Sequence, residues 1–294
     1  MPEQTAGGHP ADPARASVIG ALAIIMWSFL AVLTVLSAPV PPLQLSAIGF
    51  AIGGLSCLIW AGRSGGLSGL GRVPRRVYAF GTAGLFGYHF LYFSALRSAP
   101  PAQAGLIAYL WPLLIVLLSA LLPGERLRHR QFAGALLAFS GAALVIRGGS
   151  GGLSGAHLPG YLLALGGAVV WSGYSVLSRR LAGVPSASVA VFCLFSALLA
   201  LIAHLLTETT AWPASAAGWG AIALLGVGPL GLAFLAWDIG MKRGRIRLLG
   251  VLAYAAPLLS TAILVLAGQA RAEWALLLAA AMISGGALLA GRDR

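Results

Sequence analysis

The sequence predicts an all-α integral membrane protein: ten transmembrane helices arranged as two inverted five-helix repeats, with both termini cytoplasmic. Three observations lead there. The chain of 294 residues is 59% hydrophobic and only 9% charged, with mean hydropathy +0.90, more apolar surface than a water-soluble protein of this size can hide. Its apolar runs are continuous rather than alternating, which fits helices and not a β-barrel. The chain also nearly repeats itself: Gly-Leu-Ile-Ala-Tyr-Leu-Trp-Pro-Leu-Leu, Gly105 to Leu114, returns as Gly-Val-Leu-Ala-Tyr-Ala-Ala-Pro-Leu-Leu, Gly250 to Leu259. An odd number of spans per copy turns the second copy upside down in the bilayer.

Residues 1–16 are polar and rich in Pro, Ala and Gly, and read as a disordered cytoplasmic tail. No cleavable signal peptide is evident, so the first apolar stretch, 17–36, serves as an uncleaved anchor. Pro39-Val40-Pro41-Pro42 ends it, because no helix continues through such a run. The second and third spans cover 43–61 and 77–97. Pro100-Pro101 precedes the fourth, 102–122, Pro123-Gly124 closes it, and the fifth covers 130–147. These five make the first repeat, 17–147. A glycine-rich linker, 148–158, leads to the second repeat, 159–291, with spans at 159–179, 187–206, 217–240, 247–268 and 273–291. Near the repeat offset Trp27-Ser28 meets Trp171-Ser172, Tyr92 meets Trp237, Gly81 meets Gly226, and Ser140-Gly141 meets Ser284-Gly285.

The formal charge is +12. In a soluble domain that would point to nucleic acid. Here the basic residues lie in short loops, which fits anionic membrane lipids and argues against a nucleic-acid partner. Of the 19 Lys and Arg residues, only Arg97, Arg147 and Arg271 fall on the side opposite the N-terminus, so both termini are placed in the cytoplasm. Cys57 and Cys193 lie inside apolar runs, which argues against a disulfide and a metal site; no cofactor is expected.

Glycines cluster inside the spans, among them Gly81, Gly84 and Gly87 and then Gly226, Gly228 and Gly231. They serve close helix packing, or they let the third and eighth spans bend, with Gly84 and Gly228 as hinges. Gly49-x-x-x-Gly53 is a candidate dimer face, and the chain is expected to be a monomer or a weak homodimer. Pro112 and Pro257 match deep in the fourth and ninth spans. Each removes a hydrogen bond to the carbonyl four residues back, on Ala108 and Ala253, and marks a hinge or a lined cavity.

Candidates for a central site follow from depth. Trp60, Tyr78, Trp212, Trp219 and Trp274 sit near span ends and fit interfacial belts. Trp27, Tyr88, Tyr109, Trp111 and Trp171 fall near mid-depth, where they pack the core or wall a site for a flat, mostly apolar ligand. Tyr109 and Trp111 point in opposite directions on a regular helix unless Pro112 distorts the turn. Ser172, Tyr174 and Tyr254 supply hydroxyls beside them. His89 is either a functional intramembrane group or a satisfied core histidine. His204 lies near an outer end, where solvent is expected to reach it. Asp238, with Lys242 one turn on, makes either a local pair or a gate. No carboxylate falls at mid-depth, so facilitated or weakly coupled movement is expected rather than proton antiport. Gly-x-Ser-x-Gly occurs at Gly62 to Gly66 and at Gly148 to Gly152, but in glycine-rich loops without the strand-turn-helix of a nucleophile elbow, so an enzyme is not expected.

With these residues in view, the chain resembles the drug/metabolite transporter superfamily, specifically its EamA-type ten-helix members. The resemblance rests on the two five-span copies, the repeated Trp-Ser, and Ala-Tyr-x-x-Pro-Leu-Leu. Tyr109-Leu110-Trp111-Pro112 looks like the bacterial aromatic amino-acid exporters of the YddG type. That resemblance implies a secondary transporter of the bacterial inner membrane that exports aromatic or large neutral amino acids by alternating access. It places Tyr88, Tyr109, Trp111 and Trp171 on the substrate. Export of other small metabolites or drugs is the alternative. The second copy has Ala255-Ala256 where the first has Leu110-Trp111, so the wall it contributes is expected to be smaller.

Overall fold

The computed structural model describes residues 12–124, 127–147, 155–268 and 274–291, and among them every regular element is helical. The first helix begins earlier than the sequence suggests. Asp12 accepts a hydrogen bond from the Ala14 amide and Pro13 occupies the first helical position, where its missing N–H costs nothing, so α1 covers Pro13–Ser28. After a break at Phe29 the chain continues as α2 (Leu30–Leu36). Then come α3 (Pro42–Arg63) and α4 (Arg75–Ser98). The fourth stretch is broken into α5 (Pro101–Ala108) and α6 (Trp111–Ser119), and α7 (His129–Arg147) follows. The second half holds α8 (Leu158–Ser178), α9 (Ser188–Thr207) and α10 (Ala216–Val227). A π-helical turn, Gly228–Leu232, joins α10 to α11 (Ala233–Arg243). The chain ends with α12 (Ile246–Leu252), α13 (Ala255–Leu266) and α14 (Trp274–Gly291).

Five stretches are long and apolar enough to cross a membrane: Pro13–Leu36, Pro42–Arg63, Gly155–Leu181, Ser188–Thr207 and Ala216–Arg243; Ile246–Ser260 is a shorter apolar one. Together they describe a multi-pass membrane protein. Breaks shorten the stretches around Tyr109-Leu110 and Ala253-Tyr254, and α4 mixes its apolar residues with arginines, tyrosines and His89.

Pro257 breaks its helix differently from a simple loss of one hydrogen bond. The Ala253 carbonyl, expected to be left open by Pro257, accepts instead from the Ala256 amide at 3.1 Å in a tightened turn. The glycines sort by neighbour. Gly49 and Gly53 face Leu225, Leu230 and Gly231 inside the bundle, so this pair seats α10 and the π turn rather than a second chain. A Cβ on Gly84 would fall 2.5 Å from the Tyr174 ring, and α4 runs unbroken past it.

Packing partners recur in matched sets. α1 packs on α11 and α4 on α8; α4 meets α9 and α3 meets α10; α6 lies on α8 and α13 on α1. Neighbouring residues fix the directions. Leu43 meets Glu208 while Gly54 meets Ala190, so α3 and α9 run antiparallel. Gly286 meets Gly134 while Gly141 meets Ala279, so α7 and α14 do too.

Candidate functional site

The mid-depth tryptophans converge. Trp27 from α1, Trp111 from the first turn of α6, Trp171 from α8 and Trp237 from α11 form a cluster in which each indole touches the other three. Ring centroids lie 5.2 to 6.4 Å apart. Most of these contacts are edge-on or tilted, the arrangement that ring quadrupoles favour. Phe234 packs against Trp27 and Trp171, and Tyr88 against Trp171 at 5.6 Å. Tyr88 stacks on Tyr92 at 5.9 Å, one helical turn away, and Tyr109 lies near both.

The elements bring these rings in for local reasons. Tyr109 and Leu110 form the break between α5 and α6, so the chain turns between Tyr109 and Trp111 and both serve the same region. Gly84 makes room for Tyr174, whose ring lies 5.3 Å from that of Trp171. Indole N–H groups find acceptors: Trp237 donates to Ser175 Oγ at 3.0 Å, and Trp27 to the Pro229 carbonyl in the π turn at 3.1 Å.

Other residues named from the sequence fall differently. The Ser172 hydroxyl donates to the Val169 carbonyl of its own helix at 3.1 Å. Tyr254 is fully buried, but against Phe139 in a separate apolar cluster with Val116, Ala135, Ala138 and Ile283, away from the indoles. His89 is buried among Phe50, Tyr88, Phe93 and Phe234. Its Nδ1 lies 2.8 Å from the Leu85 carbonyl; a carbonyl only accepts, so Nδ1 carries the proton.

Polar groups gather instead at the two ends. At one end Glu208, its side chain 2% exposed, takes the Leu43 and Gln44 amides that open α3, an Arg97 guanidinium and His204. His204 is itself buried between Glu208 and Thr210, so the expected access to solvent is absent. Helix-opening amides need an acceptor, and a carboxylate there also meets the positive end of the helix dipole. At the other end Asp238 and Lys242 pair at 2.8 Å, both buried, and Lys242 also donates to the Val184 carbonyl. This is the local pair and loop anchor that their spacing allowed. Nearby, Ser17 accepts from the Arg245 amide, and Arg247 reaches Ser119 and Gln131.

No group of His, Cys, Asp and Glu among the described residues has the arrangement of a metal site. The first Gly-x-Ser-x-Gly match lies at the end of α3 and the turn after it, again without a strand; the second falls outside the described residues. The model for the EamA-like transporter family matches residues 15–147 and again 158–292. The chain belongs to that family. It is a transporter rather than an enzyme. Its relatives include the aromatic amino acid exporter YddG of Ancylobacter novellus, 53% identical over 94% of this chain and 96% of that protein. The proteins of the same name from Salmonella typhimurium and Escherichia coli are 27% and 25% identical over the same shares. A solved crystal structure superimposes with a TM-score of 0.91 at 52% identity, covering 95% of this chain and 98% of that one.

Two members of the cluster were missed at the sequence level, Trp237 and Phe234. The repeat carried the signal: Trp237 stands opposite Tyr92, and Phe234 stands at the same offset from His89. The second half therefore adds two large rings from α11, Trp237 and Phe234, to the cluster.

Proposed function

We propose that this chain is a secondary transporter of the bacterial inner membrane that exports aromatic and other large neutral amino acids by alternating access. In this reading ten helices cross the bilayer as two inverted repeats, with both termini cytoplasmic. Two family matches in tandem support the repeats, as do the antiparallel pairs α3/α9 and α7/α14. Matching helices of the two halves run antiparallel in an inverted repeat and parallel in a direct one.

The observation that carries the substrate class is the four-indole cluster. It offers flat apolar faces with few polar handles, the kind of wall that suits an aromatic side chain. The names of the relatives agree with it.

The test is initial flux in proteoliposomes, with tryptophan, phenylalanine, tyrosine and leucine set against nucleosides and sugars. Aromatic amino acids should move fastest. Trp171→Ala should lower their rate roughly tenfold, the loss of about one good ring contact. Equal rates for nucleosides, or an unaffected Trp171→Ala variant, would refute the reading. Flux that persists without a pH gradient supports facilitated movement; flux that needs one overturns it.

A further inference from the structure

We propose that Trp27 is a movable plug: the ring of the substrate takes the place of the Trp27 indole, and that displacement breaks the indole's hydrogen bond to the π turn of the opposite half. The proposal rests on the aromatic-substrate reading above and adds how occupancy of the site reaches the moving parts.

Four observations lead to it. Trp27 lies against Trp111, Trp171, Phe234 and Trp237 at 5.2 to 6.3 Å, so it occupies the space that a ligand ring would need for the same contacts. It is only partly buried, whereas Trp111, Trp171 and Trp237 are 5%, 3% and 1% exposed. Its mounting is soft. Ser28 donates back to the Ile24 carbonyl at 2.7 Å, a bond that bends helices, and the helix breaks at Phe29. The matched Trp171 stands in α8, which runs unbroken from Leu158 to Ser178. Trp111 also borders a break, but Pro112 fixes the next turn and the ring is buried.

The fourth observation is the acceptor. The Trp27 indole donates to the Pro229 carbonyl within the π-helical turn Gly228–Leu232. Such turns are local departures from the α-helix with a second arrangement close at hand, and they concentrate at functional positions. Moving the indole removes one bond from this turn, while Gly53 packs closely on its other side. Filling the box thus loosens the element that separates α10 from α11. A ligand shifts such an equilibrium only by interacting differently with its two states, and displacing Trp27 supplies that difference.

The experiment measures L-tryptophan binding to the purified full-length protein by calorimetry, and hydrogen exchange of the amides around residues 228–232. Trp27→Ala should bind L-tryptophan on the order of tenfold more tightly, because no molecule then has to clear the plug first. Trp171→Ala should bind it more weakly. Trp27→Phe keeps a ring but loses the N–H; it should bind several-fold more tightly than wild type, because no hydrogen bond then has to break, and exchange at the π turn as fast without ligand as wild type does with it. Weaker binding by Trp27→Ala makes Trp27 a fixed wall and overturns the plug, as does π-turn exchange that ignores ligand in wild type. If wild type binds no aromatic amino acid, the substrate reading falls and the plug with it.

Discussion

The helix pairs α1–α11 and α4–α8 each join one helix from either half and match each other, yet they are built differently. α4 and α8 are continuous helices of 24 and 21 residues, and Gly84 locks the Tyr174 ring between them. On the other side α1 gives way to α2 at Phe29, and α11 is separated from α10 by the π turn. Their axes meet at Gly20 and Gly240, where a Cβ on Gly240 would lie 2.6 Å from the Gly20 Cα. One side of the indole cluster is therefore mounted on rigid rods and the other on two interrupted ones. The interruptions thus fall on the α1–α11 side only, while α4–α8 run unbroken.

The largest effect is expected where the interrupted pair touches. Gly240→Val should abolish folding to a monodisperse protein in size-exclusion chromatography, since backbone rather than a flexible side chain meets the added atoms. Gly87→Ala on the rigid pair, where a Cβ would lie an ordinary 3.5 Å from Val170, should leave the elution profile unchanged. Equal tolerance of both substitutions would break the comparison.

Next comes Glu208→Ala, which strands Arg97, His204 and two helix-opening amides. It should cost about 3 kcal/mol, read as a clear drop in the thermal melting midpoint in detergent. A smaller effect is expected of Pro229→Ala, which returns an N–H to the π turn and lets it settle toward α-helix. Flux should slow several-fold while tryptophan affinity holds; unchanged flux would remove the π turn from the transport motion. Trp237→Phe should do least. It keeps a ring and loses the bond to Ser175, worth about 1 kcal/mol, visible as a small fall in melting midpoint with transport retained.

Much of this was legible in the sequence because the chain is written twice. Trp27, Trp111 and Trp171 stood out as mid-depth aromatics, and Pro112 and Pro257 marked both helix breaks near their true places. Trp237 entered only as the repeat partner of Tyr92, and Phe234, at the same offset from His89, was not singled out, because the mid-depth reading rested on the aromatics of the first half and on Trp171. Tyr254 shows the limit of copying by repeat. It matches Tyr109 letter for letter, yet it packs on Phe139, since the surroundings and not the motif decide where a ring goes. Glu208 could not be read at all. His204 stands one turn before it, but Leu43, Gln44 and Arg97 lie far away in the chain, and nothing in the sequence announces that a carboxylate will be drawn out of water to meet them.

That same glutamate has a consequence for how the protein is made. The amides of Leu43 and Gln44 leave the ribosome long before the acceptor that satisfies them, 165 and 164 residues further on. Until α9 has been synthesised and laid beside α3, that end of α3 must borrow water or lipid headgroups as partners. A chain terminated after α7 lacks the acceptor that the first turn of α3 uses in the full protein.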